Sequence, residues 1–495
     1  MLKARLLPID TFRENVVVLA RDCSALRPER LIGTRRVELK AKDRTLLGSV
    51  LIAEDGLVGP DEAGLTQPAF RRLGVAPGDP VEVAPAHPPR SLAAIKAKTL
   101  GETLGAEQLR EIVSDLVAHR LSDMEVAAFL VACASFMTPE ETLDLTQAMI
   151  GAGSRLSWSR ELVVDKHCIG GIPGNRTSLV VAPIVAAHGL LIPKTSSRAI
   201  TSPAGTADVM EVLARVDLGE DEMRAVVDRC GGCLVWGGRV NLSPADDVLI
   251  SVERPLSLDT PEQMVASILS KKASAGATHL VVDMPIGPTA KIRDPRAALR
   301  LRKLFEFVAA RLDLVIEVVT TDGSRPIGRG VGPALEARDV RAVLENRPDA
   351  PADLREKSIR LAARVLAADP ALPGGMGEAR ARHLLESGAA ARKMDEIMEA
   401  QGASPVSAAL GPLVHEVAAS KSGWIGEVDC LRIAAIARLA GAPTDTGSGI
   451  ELLKTTGDPV RAGEPLYRLY GLDRSDFGFA VDAAAEDPGF RIGAQ

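Results

Sequence analysis

The first part of the chain carries short apolar runs. Partial alternation of apolar and polar residues at 36–40 and 46–53 is typical of half-buried strands, and a Pro-Gly turn at 77–80 precedes a third run at 81–83. No cluster of catalytic residue types accompanies these runs. The pattern therefore predicts a small β-rich domain over residues 1–88.

Residues 91–155 change to a helical period. Apolar residues recur at spacings of three and four positions, which places them on one face of a helix. These residues are Leu109, Ile112, Val113, Leu116 and Val117. Two capping boxes, Ser122 with Glu125 and Thr138 with Glu141, indicate that further helices begin there. We expect a helical lobe over residues 91–155.

Strands and helices alternate from about residue 160. The predicted strands are 162–164, 233–236, 280–283 and 314–319, and the predicted helices include 177–188, 222–229 and 297–311. This alternation predicts an α/β domain over residues 160–404 with a mostly parallel sheet. Ligands of such sheets lie at the C-terminal ends of the strands. The segment 241–272 interrupts the domain.

The final segment, residues 405–495, has a different pattern. Turn and strand signals alternate within 457–469, which predicts a small α+β domain. The expected fold class is therefore α/β. It consists of a mostly parallel sheet domain with a helical lobe, a small β-rich N-terminal domain and a small α+β C-terminal domain.

Two loops rich in glycine and hydroxyl residues precede apolar helical runs. The first turns through Gly170, Gly171 and Gly174, and the second spans 196–206 with five hydroxyls and one guanidinium. Residues without a Cβ let backbone amides crowd around an anion, and a helix N-terminus adds unpaired N–H groups. A single loop of this kind is often only a tight connection, but two within fifty residues favour anion binding. The nucleotide P-loop pattern fails, because Gly174 is followed by Asn and Arg.

Composition excludes several classes of function. The 495-residue chain is 46% hydrophobic and 25% charged with a net charge of −6, and it has no basic segment for nucleic acid. The longest apolar stretch, 179–193, is interrupted by Pro183 and is shorter than the roughly 20 residues of a membrane span. Charged residues near the start argue against a signal peptide. We expect a cytoplasmic protein without nucleic-acid or membrane partners.

Cysteine and histidine spacing predicts no metal site. Cys230 and Cys233 have the spacing of half a zinc site, but no second pair lies nearby to complete four ligands. The seven histidines are scattered along the chain. We therefore expect a structural role for the cysteine pair and no bound metal.

Three segments resemble one known family. DKHCIGGIPGNRT at 165–177, KTSSRAITSPAGTAD at 194–208 and SILSKK at 267–272 are similar to the phosphate- and substrate-binding segments of the thymidine phosphorylase family of pentosyltransferases. Within the family, the sequences of these segments most closely resemble the AMP phosphorylase branch. The resemblance extends over nearly the whole chain. It implies that segment 241–272 returns to the helical lobe, that the enzyme is a homodimer or larger homo-oligomer, and that inorganic phosphate is a co-substrate with no cofactor.

The resemblance also implies which residues bind. Matched phosphate ligands are Lys166, Ser178, Ser196 and Thr206. Matched substrate ligands are Gly171, Ser197, Arg198, Ala199, Ile200, Thr201, Ser202, Thr206, Ser267, Lys271 and Lys291. Lysine and hydroxyl donors aimed at the attacking phosphate would hold it in line with the anomeric carbon of the sugar.

The resemblance implies that Asp259 assists the departure of the base. The segment 251–259 resembles the family segment that holds a proton donor, although an Asp before Thr-Pro-Glu is also a good helix N-cap. His167, beside Lys166, is the second candidate for contact with the base or sugar. The residues alone favour the cap, and the resemblance favours the acid.

Departures from the family bear on the substrate. Enzymes that cleave thymidine carry Ser where this chain has Cys168, and an Arg that grips the pyrimidine where this chain has Val252. Arg254, two residues further on, is a candidate to take the place of that arginine. These differences favour a nucleoside 5′-monophosphate such as AMP over thymidine. The alternatives are a thymidine phosphorylase, an anthranilate-type phosphoribosyltransferase, which shares the fold but uses magnesium, and a nucleotide-binding regulator without catalysis.

Overall fold

A computed structural model describes residues 1–27, 36–54, 56–199, 202–256 and 258–493. It contains two compact units. The first consists of Met1–Ala152 with Pro244–Thr260, and the second of Gly153–Ser243 with Pro261–Gln495. Segment 241–272 is thus shared between the two units. The four domain boundaries predicted from the sequence divide the chain more finely and stay predictions.

The first unit begins with a closed β-barrel. Its elements are β1 Leu2–Leu6, β2 Val16–Ala20, β3 Arg36–Ala41, β4 Arg44–Ala53, β5 Glu62–Leu65, α1 Gln67–Leu73 and β6 Pro80–Pro85. The strand order is β1-β5-β2-β4-β3-β6, and β6 pairs with β1 to complete the circle. Alternate residues such as Val17, Leu19, Val37 and Leu39 fill the interior. The predicted β-rich character is confirmed.

Helices complete the first unit. They are α2 Ser91–Thr99, α3 Ala106–Val117, α4 Asp123–Ser135, α5 Pro139–Gly151 and, later in the chain, α9 Pro244–Leu256. Both predicted capping boxes form, since the Ser122 and Thr138 amides donate to the carboxylates of Glu125 and Glu141 at 2.8 and 2.9 Å. Helix α9 packs against α3, α4 and α5. The predicted helical lobe is present.

The second unit contains the parallel strands. Its elements here are β7 Val164–Cys168, α6 Thr177–His188, β8 Ile192–Ser196, α7 Thr206–Leu213, α8 Glu220–Cys230, β9 Gly232–Trp236, α10 Pro261–Ser274, β10 His279–Ile286, α11 Pro295–Ala310 and β11 Val315–Asp322. Strands β11, β10 and β7 form one parallel sheet, and β8 and β9 form another. A parallel bridge between Val163 and Leu191 connects the two.

The predicted strand at 162–164 is misplaced. The observed strand β7 runs from Val164 to Cys168 and includes Asp165 and Lys166. The prediction from apolar residues ended the strand before these two charged residues. Both side chains are buried and have polar partners, so the strand pairing continues through them. Consequently Lys166 and His167 lie on the strand itself rather than in the following loop.

Further helices pack around α6. The elements are β12 Gly330–Val331, α12 Pro333–Leu344, α13 Ala352–Leu366, α14 Gly377–Glu386 and α15 Ala389–Gln401. Helix α6 is apolar on all sides and is buried over 177–186, because α12 to α15 cover the faces that the sheet leaves open. This core holds the N-terminal end of α6 in a fixed position beside β7.

The C-terminal segment is a small α+β arrangement, as predicted. It contains β13 Leu413–Ala418, β14 Gly423–Val428, α16 Cys430–Leu439, β15 Gly449–Leu452, β16 Pro459–Val460, β17 Pro465–Gly471, α17 Arg474–Glu486 and β18 Phe490–Gly493. Its sheets are β12-β15-β17-β13 and β16-β14-β18. Tyr467 and Phe490 stack in the core at 5.7 Å. Across the described ranges, every helix is too short or too polar to cross a membrane.

Candidate active site

The Lys166 side chain lies at the start of α6. Its Nζ donates to Thr177 Oγ1 at 2.6 Å and to Ser178 Oγ at 3.4 Å. Both hydroxyls belong to the first turn of α6, and Lys166 is only 1% exposed. The structure therefore brings together two of the predicted phosphate ligands, Lys166 and Ser178, beside a helix N-terminus.

The glycines of the first loop are required by its geometry. Gly170, Gly171 and Gly174 have φ values of +88°, +88° and +71°, a region that residues with a Cβ rarely adopt. A Cβ on Gly171 would also lie 2.9 Å from the backbone nitrogen of Lys291. The loop thus places Gly171 against Lys291, two of the predicted substrate ligands. The Lys291 residue itself is exposed.

Lys166 faces a buried carboxylate that sequence reasoning missed. Asp283 Oδ2 lies 3.9 Å from Lys166 Nζ and 3.1 Å from Lys357 Nζ, and Asn175 Nδ2 donates to it at 3.3 Å. Burial lowers the pKa of Lys166, and the charge of Asp283 opposes this change. The sequence feature that could have identified Asp283 is its position at the C-terminal end of the predicted strand 280–283, because parallel sheets bind ligands at that end.

The second loop leaves strand β8 at Ser196. The Ser196 hydroxyl donates to the Val235 carbonyl at 3.3 Å, and Ser197 is exposed. The Arg198 guanidinium donates to both Glu211 carboxylate oxygens at 2.6 and 2.7 Å and to Asp208 at 3.2 Å. The hydrogen bonds to Glu211 raise the pKa of Arg198. Arg198 is therefore held by two carboxylates in this structure.

The second loop folds onto the start of α7. Asp208 Oδ2 accepts hydrogen bonds from the Ala199 and Gly205 amides at 2.7 and 2.8 Å. A Cβ on Gly205 would lie 2.5 Å from the Ala199 nitrogen, so only glycine fits at this crossing. The Ser202 hydroxyl donates to the Ala204 carbonyl at 2.8 Å. Ile200 and Thr201, also predicted as substrate ligands, lie outside the described residues.

Arg176 connects the two loops. It follows the glycines of the first loop and donates to the Ala204 carbonyl at 2.6 Å and to Thr206 Oγ1 at 3.5 Å in the second. Glu336 forms an ion pair with the same guanidinium. The predicted phosphate ligand Thr206 is thereby tied to the Lys166 loop. Sequence reasoning noted Arg176 only as a failure of the P-loop pattern and missed this role.

A lysine cluster surrounds Asp165. Asp165 lies 2.8 Å from Lys272 Nζ and 3.5 Å from Lys194 Nζ, and all three side chains are buried. Burial lowers the pKa of Lys272 to about 7. Burial alone would raise the pKa of Asp165, but the two lysines outweigh it and lower that pKa. A single carboxylate thus faces two buried lysine side chains.

His167 lies near this cluster. Burial and the charges of Lys272, Lys194, Lys271 and Lys166 hold its pKa well below the ordinary value. The imidazole is therefore neutral at pH 7, so it can form hydrogen bonds with a substrate but has no imidazolium proton to give to a departing base. The same charges show that Lys271, on α10, lies in the electrostatic range of His167. Ser267, one turn earlier on α10, is half-buried.

Replacing Asp165 with asparagine is expected to destabilise the fold strongly. The substitution leaves Lys194 and Lys272 buried without a counter-charge, a loss of about 3–5 kcal/mol in the free energy of unfolding. Urea denaturation measures it. As a matched control, Asp395→Asn breaks a more exposed ion pair with Arg341 and should cost about 1 kcal/mol or less. An Asp165→Asn protein as stable as the control would contradict the assignment.

Asp259 is exposed and belongs to the first unit. It precedes α10, which begins at Pro261, whereas Ser267 and Lys271 belong to the second unit. Its role as proton donor stays a prediction. Among the described residues, no group of three or more His, Cys, Asp or Glu side chains is arranged to hold a metal ion. The expectation that no cofactor is needed also stays a prediction.

Family models match three parts of the chain. The helical bundle domain of a glycosyl transferase family matches residues 92–153, and the a/b domain of that family matches residues 160–289. A pyrimidine nucleoside phosphorylase C-terminal domain matches residues 424–488. The match to the a/b domain covers both anion loops. The fold and these matches define a glycosyltransferase of the phosphorylase class.

Close relatives match over the whole chain. A protein of Rhodopseudomonas palustris (strain ATCC BAA-98 / CGA009) is 59% identical over 492 residues, which cover 99% of this chain and 96% of the relative. Proteins of Bradyrhizobium sp. (strain BTAi1 / ATCC BAA-1182) and Albidiferax ferrireducens are 60% and 52% identical and cover 99% of this chain and 96% and 95% of their own length. Each is named "Putative thymidine phosphorylase". The chain belongs to the thymidine phosphorylase family.

A solved structure shares the fold. The crystal structure of anthranilate phosphoribosyltransferase from Thermus thermophilus superimposes with a TM-score of 0.53 at 23% identity, covering 62% of this chain and 99% of that one. At this identity the likeness concerns the fold alone. It agrees with the predicted combination of an α/β domain and a helical lobe.

Proposed function

We propose that the enzyme uses inorganic phosphate to cleave the N-glycosidic bond of a nucleoside 5′-monophosphate such as AMP, giving free base and ribose 1,5-bisphosphate. The observation that carries the proposal is the pair of anion loops. The buried Lys166 ammonium meets two hydroxyls at the start of α6, and Arg176 ties that loop to Thr206 at the start of α7. Two helix N-termini and several donors exceed what one inorganic phosphate requires.

In the proposed reaction, Lys166, Ser178, Ser196 and Thr206 hold the phosphate. One phosphate oxygen forms a bond with the anomeric carbon of the sugar as the bond from that carbon to the base nitrogen breaks. The electron pair of the broken bond goes to the base, and Asp259 supplies the proton that neutralises it. The remaining donors stabilise charge that is spread over the phosphate and sugar, so positioning and electrostatics lower the barrier.

Recognition of a 5′-phosphate is assigned to Arg198, Lys291 and the hydroxyls of the second loop. Arg198 is held by Glu211 and Asp208, so it would exchange a carboxylate for the phosphate when the nucleotide binds. A charged hydrogen bond contributes about 1.5–3 kcal/mol, and two such bonds would favour the phosphorylated substrate by roughly a hundredfold or more. Val252 is a buried residue of α9 and has an uncharged side chain. It therefore cannot supply the cation that thymidine-cleaving enzymes present to a pyrimidine carbonyl.

A second candidate substrate is thymidine, with thymine and 2-deoxyribose 1-phosphate as products. The names of the relatives favour it. The same phosphate loops would serve that reaction without change. The two candidates differ in the base, in the 2′-hydroxyl of the sugar and in the need for a 5′-phosphate.

Comparing kcat/KM for matched pairs of substrates decides between them. The pairs are AMP with adenosine and thymidine 5′-monophosphate with thymidine, with CMP and UMP added for the choice of base. The proposal predicts a gain of roughly a hundredfold from the 5′-phosphate in each productive pair. Efficient cleavage of thymidine without any gain from a 5′-phosphate would assign the thymidine reaction instead.

A further inference from the structure

A cavity of about 830 Å³ opens beside the C-terminal end of strand β11, within the second unit. Helix α13 forms one wall, and the turn at Gly374 and Gly375 forms another. None of the residues assigned above to phosphate or nucleotide binding lines it. Its volume falls within the range of roughly 300–1,000 Å³ that is typical of small-molecule sites. The cavity also lies at the sheet edge where parallel sheets bind ligands.

Three guanidinium groups line this cavity. Arg360 and Arg364 lie one turn apart on α13, and Arg325 approaches from the loop after β11. Arg364 pairs with Glu317 at 3.3 Å. In the part of the chain that the structure describes, Arg325 and Arg360 neither donate a hydrogen bond nor form an ion pair, although they lie in the electrostatic range of acidic residues.

The acidic residues of the cavity already have partners. Arg382 donates to both Glu356 carboxylate oxygens at 3.0 and 2.7 Å and to Glu378 at 3.3 Å. Asp322 accepts from the Ser324 amide at 2.9 Å. In the described parts of the chain, none of these carboxylates forms an ion pair with Arg325 or Arg360, and each keeps lone pairs that can accept further hydrogen bonds.

Asp353 completes the acidic lining. It accepts a hydrogen bond from the Gly328 amide at 3.1 Å and lies near the start of α13. Lys357 also lines the cavity and is paired with Asp283 at 3.1 Å. The cavity thus combines fixed acceptors with the guanidinium groups of Arg325 and Arg360, a set of groups that matches a ligand with both hydroxyls and an anionic group. No aromatic side chain is among the described residues that line it, so a nucleobase would have nothing to stack on.

We propose that this cavity binds a phosphorylated sugar. Arg325 and Arg360 grip the phosphate, because the planar guanidinium presents paired donors that match phosphate oxygens. The carboxylates of the lining accept hydrogen bonds from the sugar hydroxyls. The cavity adjoins the Lys166 site through Lys357, which pairs with Asp283, but no residue of the two anion loops lines it. The proposal does not depend on the reaction proposed for those loops.

Isothermal titration of the purified full chain with ribose 5-phosphate tests the proposal. The wild type should bind it, and Arg325→Ala and Arg360→Ala should each weaken binding roughly tenfold or more. Arg364→Ala is the matched control, since Arg364 lies on the same helix but already has Glu317, and it should bind as the wild type does. Unphosphorylated ribose should not bind measurably.

A Lys166→Ala background separates this cavity from the anion loops. Ribose 5-phosphate binding that persists in Lys166→Ala and is lost when Arg360→Ala is added supports the cavity. No binding to the wild type, unchanged affinity in the Arg325→Ala and Arg360→Ala proteins, or loss caused by Lys166→Ala alone would overturn the proposal. Because titration needs no turnover, a failure of phosphorolysis would leave this result unaffected.

Discussion

Lys166→Ala is expected to lower kcat/KM for phosphate by about 10²–10³-fold. The Lys166 ammonium is 1% exposed and donates to two hydroxyls at the start of α6, so its charge acts in an environment from which water is largely excluded. Loss of one such preorganised donor removes about 2.7–4 kcal/mol of transition-state stabilisation. Initial rates over a range of phosphate concentrations measure the change.

The matched control for this change is Lys357→Met. Lys357 pairs with the same buried carboxylate, Asp283, at 3.1 Å, and its replacement leaves Lys166 in place. The control should keep a phosphate KM close to that of the wild type. Equal losses in both variants would mean that the effect passes through Asp283 and not through a contact between Lys166 and phosphate.

Asp259→Asn is expected to lower kcat by about 10²–10⁴-fold and to change KM far less. A proton given to the departing base matters in the transition state and contributes little to substrate binding, so its loss appears mainly in kcat. Asparagine keeps the size of the side chain and removes the acid. Steady-state kinetics at saturating phosphate separate the two constants.

Glu262→Gln provides the comparison for Asp259→Asn. Glu262 is the next acidic residue in the chain and lies in the first turn of α10, with no proposed part in the reaction. Its replacement should leave kcat near the wild-type value. Normal turnover in the Asp259→Asn protein would contradict the acid role and leave Asp259 a structural role at the start of α10. Kinetics of His167→Ala would then show whether the imidazole contacts the base or sugar.

Local patterns predicted much of the fold. The apolar run at 177–188 corresponds to α6 at Thr177–His188, and both capping boxes form as their spacing indicated. Closure of the N-terminal barrel was not predictable, because it depends on β1 pairing with β5 and β6, which lie about 60 and 80 residues away in the chain. Pairing between distant strands leaves no short-range signal in the sequence.

The sequence predicted the loops of the site but not the buried charged residues that support them. Gly171, Gly174 and Gly205 stand where a Cβ would meet the backbone, as a tight anion loop requires. Asp165 and Asp283 were overlooked, because a charged residue in a strand reads as the end of that strand. Only the folded structure shows that each carboxylate lies beside two lysines.

Phosphorus NMR of the reaction mixture tests the central claim most directly. The enzyme is incubated with AMP, adenosine or thymidine, with and without inorganic phosphate, and free base is quantified by chromatography. Phosphorolysis predicts that base appears only when phosphate is present, in an amount equal to a new sugar 1-phosphate signal that forms as the phosphate signal declines. Base released without phosphate, or no base from any nucleoside or nucleotide, would contradict the account.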